Sequence, residues 1–341
     1  MPFSPRNKET LPLDMERDPI DKAIWDEELD AFLPGKVFDF HVHLWDNSLR
    51  QDPSAPQPRP RPDVDVASLR TFWAELFPGR EMRFMLLPTP AADVDQDAHN
   101  RWMLEQGKLA PESLFAMLAT PSTSTQYAET AIRTHGVSAF KPYRVFGSDP
   151  DEGGIRDYLP ERLIEVAHHF GLAIMLHMSK RAGPADPENL ADLEDFTRRY
   201  PRAQWVLAHC ARGFNSFFLE KALPRLKDLP NIWYDTSAVN DLYSHILLLK
   251  HEERRRIMYG SDGVFAGGMR GKYVTYARAW EFYGGNPELT HCDPAATFVV
   301  YEQLRQQRQA ADLLGLTADE ISDLFHRNAE RLVGSLRAGG Q

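Results

Sequence analysis

The chain has 341 residues, 43% hydrophobic and 11% aromatic, with a formal net charge of -10. This is the composition of a globular protein able to bury a large core, and it excludes collagen-like, disordered and repeat classes. The acidic balance, with pI near 5.7, offers no basic footprint for nucleic acid or an anionic membrane, so a small molecule is the expected partner.

Only Cys210 and Cys292 are present, which leaves no disulfide framework and no cysteine-rich zinc site. No stretch reads as a signal peptide or a membrane span, so a cytoplasmic protein is expected.

In chain order, residues 1–36 read as an N-terminal extension with a short helix around Pro19–Phe32, and residues 37–341 as one domain. Eight short apolar runs follow: "VFDFHVH" (37–43), "MRFMLLP" (82–88), "LFAMLAT" (114–120), "VSAFKPY" (137–143), "LAIMLHM" (172–178), "WVLAHC" (205–210), "IWYDTS" (232–237) and "IMYGSD" (257–262). Their starts span 220 residues over seven intervals, about 31 each, the size of a strand, crossover helix and strand. The pattern predicts an α/β fold, a (β/α)₈ TIM barrel with an N-terminal extension and C-terminal helices.

Helices are predicted over 160–171, stopped by Gly171, and over 187–200, with a helical tail from Asn286 to Gly334 in which Thr317 and Glu320 form a capping box. The proline-rich "QDPSAPQPRPRPD" (51–63) follows the first strand, where a barrel places loops around its active site; it reads as a lid or substrate wall, or as a solvated insertion. After the last strand, "GVFAGGMRGKYVTYARAWEFY" is glycine-rich and then aromatic. It reads as a loop that closes over ligand or simply leads into the next helix.

Alternation along the first strand puts Asp39, His41 and His43 on one face and Phe38, Phe40 and Val42 on the other. His41 and His43 end strand one, Lys141 strand four, His177 strand five, His209 strand six and Asp262 strand eight. Each alone is an ordinary core or turn residue. Together they gather at one mouth of the barrel, and imidazole and carboxylate without thiolate suit a catalytic zinc, manganese or iron ion with an open position for water. Arg212, Arg144 and Tyr143 are candidates to clamp an anionic substrate. The other histidines, His99, His135, His168, His169, His245, His251, His291 and His326, fall in helices or connections and are not expected to be ligands.

The motifs "HVH", "LHMS", "LAHCARGF", "RIMYGSDG" and "LFHRNAERLVG" resemble the amidohydrolase superfamily over about residues 37–334. The resemblance is to its amidohydrolase-related (amidohydrolase 2) branch, which includes aminocarboxymuconate semialdehyde decarboxylase-like enzymes and lactonases. Arg327 stands where the branch's closing helix usually has Gly.

The resemblance implies His41, His43 and His177 as ligands of one divalent ion, with Asp262 as a further ligand or as the acceptor of the attacking water's proton. It implies His209 as an acid or base at the substrate and Lys141 as a substrate-side cation. A binuclear site, with Lys141 carbamylated and His209 on a second metal, stays open. The implied function is a metal-dependent hydrolase of a small carboxylated ester, lactone or amide, acting through a metal-activated water. Non-oxidative decarboxylation of an aromatic or unsaturated acid is the alternative, and a non-catalytic binding barrel the third reading. No nucleic-acid or membrane partner is expected, and the extensions at both ends leave room for a homo-oligomer.

Overall fold

The computed structural model describes residues 16–52, 62–89, 91–285 and 289–338. Eight parallel strands run in sequence order: β1 (Lys36–Leu44), β2 (Glu81–Pro88), β3 (Leu114–Leu118), β4 (Ala139–Lys141), β5 (Ala173–Leu176), β6 (Gln204–Leu207), β7 (Ile232–Asp235) and β8 (Ile257–Met258). Phe40 N donates to Tyr259 O (3.0 Å) and His43 N to Gly263 O, joining β1 to the chain just after β8 and shutting the ring. All eight predicted strands are present. A β/α unit needs a strand, a helix and two turns, which explains the regular 31-residue spacing.

Helical segments follow every strand, among them Val66–Leu76 after β1, Glu161–Phe170 before β5 and Pro187–Arg199 after it. The second of these stops at Gly171, which takes the left-handed conformation (φ 67°) that a side chain resists. Thr317 and Glu320 form the expected capping box.

The barrel interior is filled by Phe38, Phe40, Met85, Ala116, Ala139, Ala173, Met175, Val206 and Met258. Leu332 and Leu336 of the closing helix Asn328–Ala338 join this cluster. That helix sits at the starts of the strands, where Asn328 Nδ2 donates to Ile257 O (2.7 Å).

Three expectations need correction. The pairing of β1 with β2 shifts register between Asp39 and Val42. A bulge of this kind adds one residue and resets the alternation, so Phe40 joins the barrel interior while Asp39 accepts from Trp73 Nε1 (3.0 Å) of the outer helix and leaves the face of His41 and His43. The predicted start of the helical tail, Asn286, lies outside the described residues; residues 289–298 are irregular, in keeping with Pro294 and a run of small residues, and the helix begins at Val299. The glycine-rich and aromatic segment is neither a plain loop nor a helix approach. Its "KYVTY" and "AWEFY" halves pair as an antiparallel hairpin, β9 (Lys272–Tyr276) with β10 (Ala279–Tyr283), as β-branched and aromatic residues favour.

The proline-rich loop lies largely outside the described residues. Among the described residues, no helix is long and apolar enough to cross a membrane.

Candidate metal centre

The strand ends deliver the predicted cluster to one mouth. His41 and His43 sit on β1 and Lys141 is the last residue of β4; the other groups follow the ends of their strands, His177 by one residue, His209 by two and Asp262 by four. Glycines flank Asp262 for a physical reason. A Cβ on Gly260 would lie 2.9 Å from His41 Cβ, and one on Gly263 would strike the Trp73 ring at 2.0 Å.

His41 Nε2 and His43 Nε2 are 3.2 Å apart, and Asp262 Oδ1 is 3.5 Å from each. These three side chains bring their ligand atoms within 4.8 Å of one another. His43 Nδ1 faces Pro88 O (3.0 Å), which can only accept, and His41 Nδ1 faces Asp235 Oδ2 (2.9 Å). Each Nδ1 therefore carries the hydrogen, and each Nε2 turns a bare lone pair toward the other.

Burial holds both rings well below the ordinary imidazole range, with Lys141 adding to the effect, so they stay neutral. Two lone pairs and a carboxylate oxygen are aimed at one point, an arrangement that a cation between them would stabilise. The donor set fits a divalent ion that takes nitrogen and oxygen ligands.

His177 lies outside this tight trio. Its Nδ1 is 3.0 Å from His209 Nε2, and its ring contacts Tyr143 edge-on with centroids 4.9 Å apart. Lys141 Nζ is 3.3 Å from His41 Nε2. Burial lowers its pKa to about 8, opposed by Asp262 and Asp235. Asp262 keeps 19% of its side chain open, and burial pushes its pKa up to about 7.

His209 stands on unusual backbone. Residues His209, Cys210, Ala211 and Arg212 have φ of 59°, 52°, 55° and 63°, one left-handed turn without a glycine, where β6 was expected to run on to 210. L-residues resist this conformation by about 1–2 kcal/mol each, so other contacts must impose it. His209 N donates to Asp235 Oδ1 (3.0 Å), and Arg212 Nη1 donates to Ser179 O (3.1 Å) and to Lys180 O.

The turn aims Arg212 at the β9–β10 hairpin, its guanidinium 5.3 Å from the Trp280 ring centroid. Trp280 stacks on Phe214, and Phe214 packs against the His209 ring. Among the described residues Arg212 has no carboxylate in ion-pair reach, and its Nε is buried without a partner. Arg144, by contrast, pairs with Asp151 (2.6 Å).

Sequence reasoning missed Asp235 and Ser237. Ser237 Oγ is 3.1 Å from His41 Nδ1 and 2.9 Å from His209 Nδ1, and it donates to Asp235 Oδ1. His41, His209 and Asp235 also bring ligand atoms within 4.8 Å of one another, but Ser237 already bridges them. The position was legible, since Asp235 ends β7 as Lys141 ends β4, but not the part it plays.

Residues 38–335 match the model of a protein family described as Amidohydrolase. No curated protein matches the sequence significantly. Similar solved structures include 4-oxalomesaconate hydratase from Rhodopseudomonas palustris, with TM-score 0.57, 17% identity, and 89% of this chain and 97% of that one covered. Another is 5-carboxyvanillate decarboxylase from Sphingomonas paucimobilis, with TM-score 0.57, 14% identity, and 88% and 99% covered. A third is a probable 2-pyrone-4,6-dicarboxylic acid hydrolase from Acinetobacter baumannii with citric acid bound, with TM-score 0.55, 14% identity, and 87% and 99% covered. At these identities the likenesses establish the fold, and the chemistry has to come from the side chains.

Proposed function

Because the chain belongs to the amidohydrolase family, we propose that this metal-dependent enzyme hydrolyses a small carboxylated ester, lactone or amide. The observation that carries the reading is the convergence of His41 Nε2, His43 Nε2 and Asp262 Oδ1 on one point at the barrel mouth. His41, His43, Asp262 and His177 would hold one divalent ion, zinc first and manganese or iron as alternatives, which when bound acidifies water and polarises a carbonyl.

The chain's own groups supply the rest. Asp262, with a pKa raised to about 7 and an open edge, accepts a proton from the attacking water. His209 offers its Nε2 as a further acid or base at the substrate. Lys141 is the cation for the developing oxyanion. Arg212, which has no carboxylate partner among the described residues and a buried, unpartnered Nε, binds the substrate's carboxylate, with Tyr143 and the Asp151-paired Arg144 as further candidates.

Metal analysis separates one ion from two: a single equivalent fits this arrangement, and two would fit a carbamylated Lys141 with His209 on the second ion. Asp262→Asn should lower turnover on a panel of lactones and esters by about 10²–10⁴-fold while the variant still binds a substrate analogue. Turnover within a few-fold of the parent would remove Asp262 from this role.

Decarboxylation is the second reading, favoured by one observation. The Asp262 carboxyl keeps 19% of its side chain open at the mouth, and burial favours its protonated form, so it can deliver a proton to a substrate carbon. Carbon dioxide released from a phenolic or unsaturated acid, with no activity on the lactone and ester panel, would decide for it.

A further inference from the structure

We propose that Asp235 and Ser237 form a tautomer-setting pair that fixes the hydrogen on Nδ1 of both His41 and His209, imidazoles contributed by β1 and by the turn after β6. Both rings then present Nε2 to the mouth. The consequence for metal binding rests on the function proposed above; the tautomers themselves do not.

The argument is a count of donors and acceptors. Asp235 Oδ2 accepts from His41 Nδ1 (2.9 Å). Asp235 Oδ1 accepts from His209 N (3.0 Å), Ser237 N (3.0 Å) and the Ser237 hydroxyl. With its hydrogen directed at Asp235, the Ser237 hydroxyl can only accept from His41 Nδ1 and His209 Nδ1. His209 Nδ1 also faces Ser237 O at 3.0 Å, another acceptor. Each imidazole thus meets nothing but acceptors at Nδ1. Asp235 and Ser237 are fully buried, so water cannot substitute. Through the backbone N of His209, the same carboxylate also braces the left-handed turn.

Replacement by the isosteric amide is therefore the most damaging change. Every neighbour of both Asp235 oxygens is a donor, so the amide nitrogen of Asp235→Asn opposes an N–H or O–H in either orientation. His41 can relieve the clash only by moving its hydrogen to Nε2, which faces His43 and Asp262. Asp235→Ala removes an acceptor but adds no donor; the Ser237 hydroxyl, released from Asp235, can still accept from His41 Nδ1, so nothing forces the tautomer to change. A residue that merely filled space would give the reverse order, with Asn milder than Ala.

Both variants can be compared with the parent by ¹⁵N NMR of the imidazoles in chelator-treated protein and by zinc titration against a competing chelator. The expected result is His41 protonated on Nδ1 in the parent and on Nε2 in Asp235→Asn, with zinc affinity lowered about 10–100-fold and by less in Asp235→Ala. An Asn variant that keeps the Nδ1 tautomer, or that binds zinc as well as the Ala variant does, overturns the proposal.

Should the Asn protein not fold, Asp235→Ala alone is expected to keep the His41 tautomer and the Asp235→Ala/Ser237→Ala double variant to lose it. Retention in the double variant is the overturning result. If the parent takes up neither zinc nor manganese, the functional reading falls, and the nitrogen spectra still decide this one.

Discussion

Four imidazoles, those of His41, His43, His177 and His209, share the mouth with the buried Lys141, and burial depresses the basicity of each. In the unfolded chain a histidine takes up its proton as pH falls through about 6.5; in the fold His209 holds off until about 4 and the others lie well below 6.5. Their contribution to stability is present above 6.5 and is lost on acidification. Asp39 and Asp262, both raised to about 7, act in the opposite sense between about 4 and 7.

Buried His99, held to about 4, and His245 add to the first set, and Glu252, raised to about 7, adds to the second; with six groups against three, the metal-free protein should melt at a lower temperature at pH 5 than at pH 7. A melting temperature that rises on acidification would mean that the imidazoles are not held neutral.

At this scale the sequence was partly legible. His41, His43 and Asp262 could be picked out because a parallel barrel brings the ends of all its strands to one rim. Asp235 could not be given its part, since an acid in "IWYDTS" reads as any strand-end carboxylate until His41 Nδ1 is seen 2.9 Å away. The direction of Asp39 depends on a bulge, and no periodicity in one strand reveals where its neighbour's register slips.

Among the elements, the long connection after β8 carries both Asp262 and the hairpin, and the N-terminal helix Pro19–Ile24 holds it in place. Asp21, fully buried on that helix, accepts from Arg270 Nη2 (2.6 Å) and Thr297 Oγ1 (2.6 Å). Asp21→Ala leaves Arg270 with the more exposed Asp18 and the carbonyl of Glu16, and takes the acceptor from the Thr297 hydroxyl and from Asp18 N. The expected loss is about 2 kcal/mol in urea unfolding, below the usual figure for a broken buried pair because Arg270 is partly solvated. An unchanged unfolding midpoint would show that the contact contributes nothing. The hairpin itself was hidden because its alternating aromatic halves follow a glycine-rich stretch that reads as loop, and only pairing partners distinguish the two.

The whole molecule divides its tasks between its two ends, as barrels of this architecture do. Chemistry-bearing groups crowd the ends of the strands, while the opposite end is stoppered by apolar side chains of the closing helix Asn328–Ala338. Leu332→Ala should therefore cost about 2–5 kcal/mol of stability and leave zinc affinity within a few-fold of the parent. A large loss of metal binding without loss of stability would contradict this division. The architecture was the most legible level, because it depends on a count and a spacing that tolerate local errors of a few residues.

The stretch from Tyr259 to Gly263 both meets β1 to complete the cylinder and carries Asp262. Its seam is thus also its working edge. A circularly permuted chain with new ends in a far-side connection keeps that seam intact, whereas ends placed between Tyr259 and Gly263 would unzip the cylinder and misplace the carboxylate in a single stroke.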